Sequence, residues 1–208
     1  MSEIEICNLM LARAGQTKQI TSIDAPTTPV EDMVALHYPM TRRKLLRAYV
    51  FNFAKKYALL TLDATVTPAF GYSSAYKLPN DFLRLLALGD ITINNDTPTG
   101  LYDVVNGYIY TNEQDDDDTI YISYIFDETL VSKWDALFVD LMRVQGAKDL
   151  AMPLTLKPSF VKSIDDELAD IKLQATAVAG QEKPPRRIQR SKLLAKRRSF
   201  RGQDNTYI

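Results

Sequence analysis

Apolar positions recur in this chain with two different periods, and the switches between them predict its elements. Ser2 and Glu5 make a capping box for a first amphipathic helix that stops at Gly15. Residues 16–27 read as loop. Thr28, Pro29 and Glu31 signal a second start, with proline at the first helical position. The helical pattern then runs on to about Tyr57. Leu45, Ala48, Tyr49, Asn52 and Phe53 share one face of it, while Arg43, Arg47, Lys55 and Lys56 carry charge elsewhere. Pro39 lies inside this stretch and is expected to bend or split it.

Residues 59–126 change to a strand-rich pattern. Tyr72, Ser74, Tyr76 and Leu78 alternate as a half-buried strand does. Pro79 then removes a ladder donor and forces a stop. Asn80 and Asp81 supply turn chemistry, and Asp81 is expected to cap that turn and pair with Arg84. The Asn106-Gly107 pair is a hairpin signal. From about Glu128 to Met152 the period is helical again, with Leu130, Trp134, Leu137, Leu141 and Val144 on one face and Pro153 as the stop. A last helix starts near Pro158 and sets Val161, Ile164, Leu168, Ile171, Ala175 and Val178 in a heptad-like seam. Trp134, Leu137, Leu141, Val144, Ile164, Leu168 and Ile171 are expected to meet in one core. The fold class that follows is α+β: an antiparallel helical bundle built from residues 1–58 and 127–182, an antiparallel β lobe inserted at 59–126, and an extended basic C-terminal arm at 183–208.

Charge sharpens the last boundary. The chain of 208 residues has a net charge of −1, but from Lys183 onward nine Lys or Arg face a single acid, Asp204. The arm therefore carries about +8 and the remainder about −9. Pro184 and Pro185 sit at the change and disfavour continuation of the preceding helix. The apolar content, 46%, suffices for a real core. No run of 18 apolar residues occurs, so no transmembrane helix is expected. The stretch MSEIEICNLML lacks a positive leader region and does not read as a signal peptide. Cys7 is the single cysteine, which rules out an intrachain disulfide and suits a reducing compartment.

Reactive chemistry finds little support. His37 is the single histidine, which excludes multi-histidine metal sites and favours a structural role. Cys7 reads as a small buried hydrophobe. No glycine-rich phosphate cradle is present, and neither cofactor nor metal is expected. Asp115 to Asp118 lack the ligand spacing of a calcium loop. They read first as a solvated hairpin tip between Tyr108–Thr111 and Ile120–Tyr124, with cation binding, repulsion of DNA or docking of a basic partner as other readings. No nucleophile, base and metal set is visible, so an enzyme is the least favoured class.

One pattern is more specific. Arg43, Leu46, Arg47, Tyr49, Phe51, Asn52, Phe53 and Ala54 are followed by Tyr76, Leu78, Pro79, Asp81 and Arg84. This order resembles the head-to-tail adaptors, or tail tubular protein A-like proteins, of short-tailed bacteriophages. Phe51 stands where that family usually has Trp. YDVVNGYIYT and IYISYIF fit the family's next strands, so the resemblance covers about residues 3–180 in element order. It implies a structural virion protein of the tail neck, assembled in the host cytoplasm. Its partners would be the portal protein above, the tail nozzle protein below, and further copies of itself in a dodecameric ring with genome DNA passing through the lumen.

The arm has two readings. Dense positive charge suits a salt-dependent nucleic-acid arm. Ile188, Leu193, Leu194, Phe200, Tyr207 and Ile208 are apolar anchors that a purely electrostatic arm does not need. The resemblance favours docking, since related adaptors extend a C-terminal segment onto the portal ring. Fully extended, the arm spans about 85 Å. The candidate partner-binding residues are Arg186, Arg187, Arg190, Leu193, Leu194, Arg197, Arg198, Phe200, Arg201, Tyr207 and Ile208. The alternative function is a DNA-binding protein with a basic C-terminal arm.

Overall fold

A computed structural model describes residues 1–68, 71–89, 102–112, 117–155 and 158–181. Among the described residues the chain is mixed α+β, with four helices and two small antiparallel three-stranded sheets. Helix α1 (Glu3–Arg13) begins with the capping box: Glu5 N donates to Ser2 Oγ, and Ser2 N to Glu5 Oε2. Gly15, at φ 81°, ends it by letting Gln16 N reach back to Leu11 O at 2.9 Å. Helix α2 (Pro29–Ala48) begins with a second capping box, Thr28 with Glu31. It passes through Pro39 as one element of 20 residues and is not split.

Helix α2 is shorter than its sequence pattern suggests. Tyr49 is already extended, Asn52–Ala54 form a single 3₁₀ turn, and Tyr57 belongs to a strand. The aromatic run explains the break. Leaving the helix lets Phe51 and Phe53 both meet Phe138 edge-on, at ring separations of 5.1 and 5.2 Å. Trp134 packs on the same ring at 4.9 Å. That contact set outweighs one more helical turn.

The strands are β1 (Lys55–Thr61), β2 (Ser74–Lys77), β3 (Phe82–Leu88), β4 (Tyr102–Val105), β5 (Tyr108–Thr111) and β6 (Thr119–Phe126). One sheet has the order β1-β6-β3 and the other β2-β5-β4, with a single bridge from Leu62 to Tyr76 between them. β4 and β5 form the hairpin expected at Asn106-Gly107, whose φ values of 50° and 80° are those of a type I′ turn. β5 and β6, however, belong to different sheets. They therefore do not form the hairpin expected across the acidic run. Asp118 instead turns the chain at φ 56° and its carbonyl accepts from Leu62 N, while Asp115 and Asp116 lie outside the described residues. β2 is not half-buried either: Ser74, Ala75 and Tyr76 are all buried.

Helix α3 (Ala136–Thr155) starts later than expected. Glu128 accepts from Leu130 N, and Asp135 caps the helix by accepting from Leu137 N at 2.7 Å. These local acceptors hold the preceding residues in a 3₁₀ turn at Val131–Lys133, and Leu130 is exposed. Pro153 does not stop α3, which runs on through it to Thr155. Helix α4 (Pro158–Gln181) packs along it.

α3 contacts α1, α2 and α4 and is the axis of the main core. Trp134, Leu141, Val144, Ile164, Leu168 and Ala175 are buried in that core, with Leu137 and Ile171 partly buried against it. Val178 is largely outside it. Gly146 allows α1 to approach α3 closely, because a Cβ there would collide with the Met10 side chain. A second cluster lies in the sheets, from Leu60, Tyr76, Ile109, Ile120, Ile122, Tyr124 and Phe126. β6 is the shared wall. Ile125 faces the helical core, while Ile122, Tyr124 and Phe126 face the second cluster.

Candidate functional site

Every partner-binding residue expected from the sequence, from Arg186 to Ile208, lies outside the described residues. What the structure does place is the segment that carries the family resemblance, and its side chains are engaged in joining helices to sheet. Arg42 is buried on α2 on the same face as Tyr38, Leu45 and Leu46. Its guanidinium grips Asp127, just past β6, through Nε at 2.8 Å and Nη2 at 3.0 Å. Arg43 adds a bond of 2.8 Å to the same carboxylate. Burial alone would raise the Asp127 carboxyl, but the two arginines hold it below its ordinary range. The sequence pattern placed Arg43 off the apolar face, where it is largely exposed, and gave Arg42 no role. The signal was present: Arg42 falls four residues after Tyr38 and three before Leu45.

The LPNDFLR corner is wired differently from the expectation. Asp81 does not pair with Arg84. Its carboxylate accepts from Lys56 Nζ at 2.6 Å and from the Tyr124 hydroxyl at 3.1 Å. Burial and the neighbouring Asp81 charge push that phenol up to about 12. Arg84 instead reaches α2, donating to the carbonyls of Arg47 and Ala48. Arg47 returns the contact by donating to Leu83 O. The two arginines staple the C-terminus of α2 to β3, where the free helix carbonyls need donors. No spacing rule within the turn reveals a partner 25 residues upstream.

Cys7 is buried, and burial with the adjacent Glu3 charge pushes its thiol up to about 12. His37 is half-buried on α2. Among the described residues no group of three His, Cys, Asp or Glu is placed to hold a metal, and no helix is long and apolar enough to cross a membrane.

Two kinds of interaction surface remain. The β1-β6 face continues past the helices that cover Ile125 and presents Tyr57, Leu59 and Tyr121 to solvent. Leu36 and Met40, one turn apart on α2, are exposed as well. The second feature is a cleft of about 160 Å³. Phe51, Phe53 and Leu137 line it together with Ala175 and Val178 of α4. Asn52, Lys133 and Asp135 stand around it. Lys133 is already paired with Glu128 at 3.1 Å, so the cleft's mouth is not dominated by free positive charge.

No family model matches the chain, and no curated protein matches it significantly.

Proposed function

We propose that this chain is a structural assembly protein, a head-to-tail adaptor that forms a ring beneath a portal, connects it to the tail nozzle and continues the DNA channel. The observation that carries the reading is the use made of the resembling motif. Its Arg43, Arg47, Asp81 and Arg84 bond to other parts of the same chain, as do Arg42 and Lys56 beside them, and its Phe51 and Phe53 pack on Phe138. Such a motif serves a fixed angle between helices and sheet, which a ring subunit needs and a reactive centre does not. On this reading the four helices are an antiparallel bundle, the β region is its inserted lobe, and residues 183–208 are the extended arm.

The exposed apolar faces support self-association. Leu36 and Met40 on α2 and Tyr57, Leu59 and Tyr121 on the sheet are different patches, and a contact between unlike patches closes into a ring when its rotation fits. The arm's arginines and its anchors Leu193, Leu194, Phe200, Tyr207 and Ile208 then meet the portal or a neighbouring subunit. The second reading, a DNA-binding protein, rests on the charge of about +8 in that same segment.

Mixing the purified protein with portal rings and imaging the product by electron microscopy tests the choice. The adaptor reading expects a second ring stacked on the portal, and co-sedimentation lost on truncation after Gln181. Binding to duplex DNA with no attachment to portal would replace it with the second reading. Reversing the arm's charges is expected to weaken attachment mainly at low salt, and removing its apolar anchors at all salt concentrations.

A further inference from the structure

The cleft beside the end of α4 has the size of one side chain. A cavity of about 150 Å³ lined by apolar groups holds a benzene ring, whereas drug-sized ligands need about 300 Å³ or more. At about 160 Å³, with Phe51 and Phe53 in its lining, this one fits a single aromatic ring. Its position is equally specific. Val178, in its wall, precedes the last described residue, Gln181, by three positions. The 27 residues that follow, 182–208, hold one phenylalanine, Phe200, among Arg197, Arg198 and Arg201.

We propose that this cleft is the seat of the chain's own C-terminal segment, with Phe200 as the side chain it takes. Three observations converge. The seat matches the ring in size, and Phe51, Phe53, Leu137, Ala175 and Val178 give it an apolar wall beside the polar Asn52, Lys133 and Asp135. The nineteen residues that follow Gln181, ending at Phe200, are more than long enough to return to a site that begins at Val178, and Pro184-Pro185 disfavour a helix that would carry them away. The segment carries about +8 and the rest of the chain about −9, so its return is electrostatically favourable along the way. Tethering favours the chain's own segment over one from solution, because a short flexible link holds it at an effective concentration of about millimolar. Among the lining residues, Lys133 is the cation that would oppose the arginines flanking Phe200, and Glu128 already offsets its charge. This seat is independent of portal binding. Where the chain does bind a portal, Phe200 must leave the cleft to dock, which keeps the anchor covered until a partner is present.

Trypsin reads the proposal directly, since Arg198 and Arg201 flank Phe200. Cleavage at these sites in the full chain is compared with cleavage of a synthetic peptide of residues 183–208 bearing the same substitution, which removes any intrinsic effect on the protease. Seating makes the full chain slower than the peptide. Phe200→Ala is expected to raise the full-chain rate about fivefold, since cleavage follows the population of the released form. Val178→Trp fills the cleft from a partly exposed position and is expected to do the same, with the double variant no faster than either single. Val178→Asp serves as the replacement if the Trp variant unfolds at a lower denaturant concentration than the parent. Equal rates for chain and peptide overturn the proposal. So does an effect of Phe200→Ala without one from either Val178 variant, which would put the anchor elsewhere. Protection that grows with protein concentration overturns seating within one chain and assigns the cleft to a neighbouring copy's segment.

Discussion

The two faces of β6 look onto cores of different construction. On one side, α3 is wrapped by three other helices, and residues far apart in sequence, from Ile6 to Ala175, meet around it. On the other, a smaller cluster fills the space between the sheets and depends on turns and a few charged joints for its shape. The helical side is a packing problem, where the loss of volume matters most. The sheet side is a geometry problem, where the loss of a turn or a pair matters most. Substitutions of each kind separate the two.

The largest effect is expected at Phe138, which is fully buried and touches Phe51, Phe53 and Trp134. Phe138→Ala leaves a cavity at the centre of the aromatic cluster and is expected to cost about 3–5 kcal/mol in urea unfolding. A loss below about 1 kcal/mol would mean that the site collapses freely and is not a packed core.

Next comes the joint between the two cores. Asp127→Ala leaves the Arg42 guanidinium buried without its bidentate acceptor, and is expected to cost about 3 kcal/mol. The double variant Arg42→Met with Asp127→Leu removes both charges and is expected to recover most of that loss. If the single substitution is tolerated as well as the double, water reaches Arg42 and the joint is not buried.

These two sites also show how much could be read from the sequence. Period and caps located all four helices, because a capping box and a repeating apolar face are local properties: Ser2 with Glu5 and Thr28 with Glu31 need no tertiary information. Helix ends near aromatics could not be read the same way. Whether the chain at Tyr49 continues as helix is decided by Phe138, almost ninety residues on. Charged partners failed for the same reason. Arg84 is three residues from Asp81, yet strand β3 carries it to the end of α2, while β1 brings Lys56 to Asp81. The cleft is similarly assembled from three separated stretches, and no one of them marks it.

On the sheet side, Gly107 sits at φ 80° in the β4–β5 turn, with open space where a Cβ would go. Gly107→Ala therefore meets no steric clash, and its cost is the backbone term alone, about 1–2 kcal/mol. The same substitution at Gly146 fails for the opposite reason, because it drives a Cβ into the buried Met10 side chain. Comparing the two by urea unfolding distinguishes a core limited by volume from one limited by turn geometry. If Gly107→Ala is neutral, the turn is not fixed in the left-handed conformation.

The smallest effect is confined to the loop before α2 and to acid. Glu31 accepts from Thr27 N at 2.8 Å, from the Thr27 hydroxyl at 2.8 Å, and from Thr28 N and Thr21 N at 3.1 and 3.3 Å. The Thr27 amide does most to lower this carboxyl, to about 2. Because its pKa is depressed by folding, the stabilisation is fully present above the unfolded value, about 4.3, and is lost as pH falls through about 2. Amide exchange at Thr21, Thr27 and Thr28, followed relative to α3 amides, is therefore expected to accelerate beyond the intrinsic pH dependence between these limits. Glu31→Gln keeps one acceptor oxygen but has no proton to gain, so its acid response in that window is expected to be flat. The helical core should show little of either change, since its amides report on packing around α3 and not on one carboxylate. An unchanged acid response in Glu31→Gln would assign the titration to a different group, such as Asp127, and move the acid-sensitive point from the loop to the joint between the two cores.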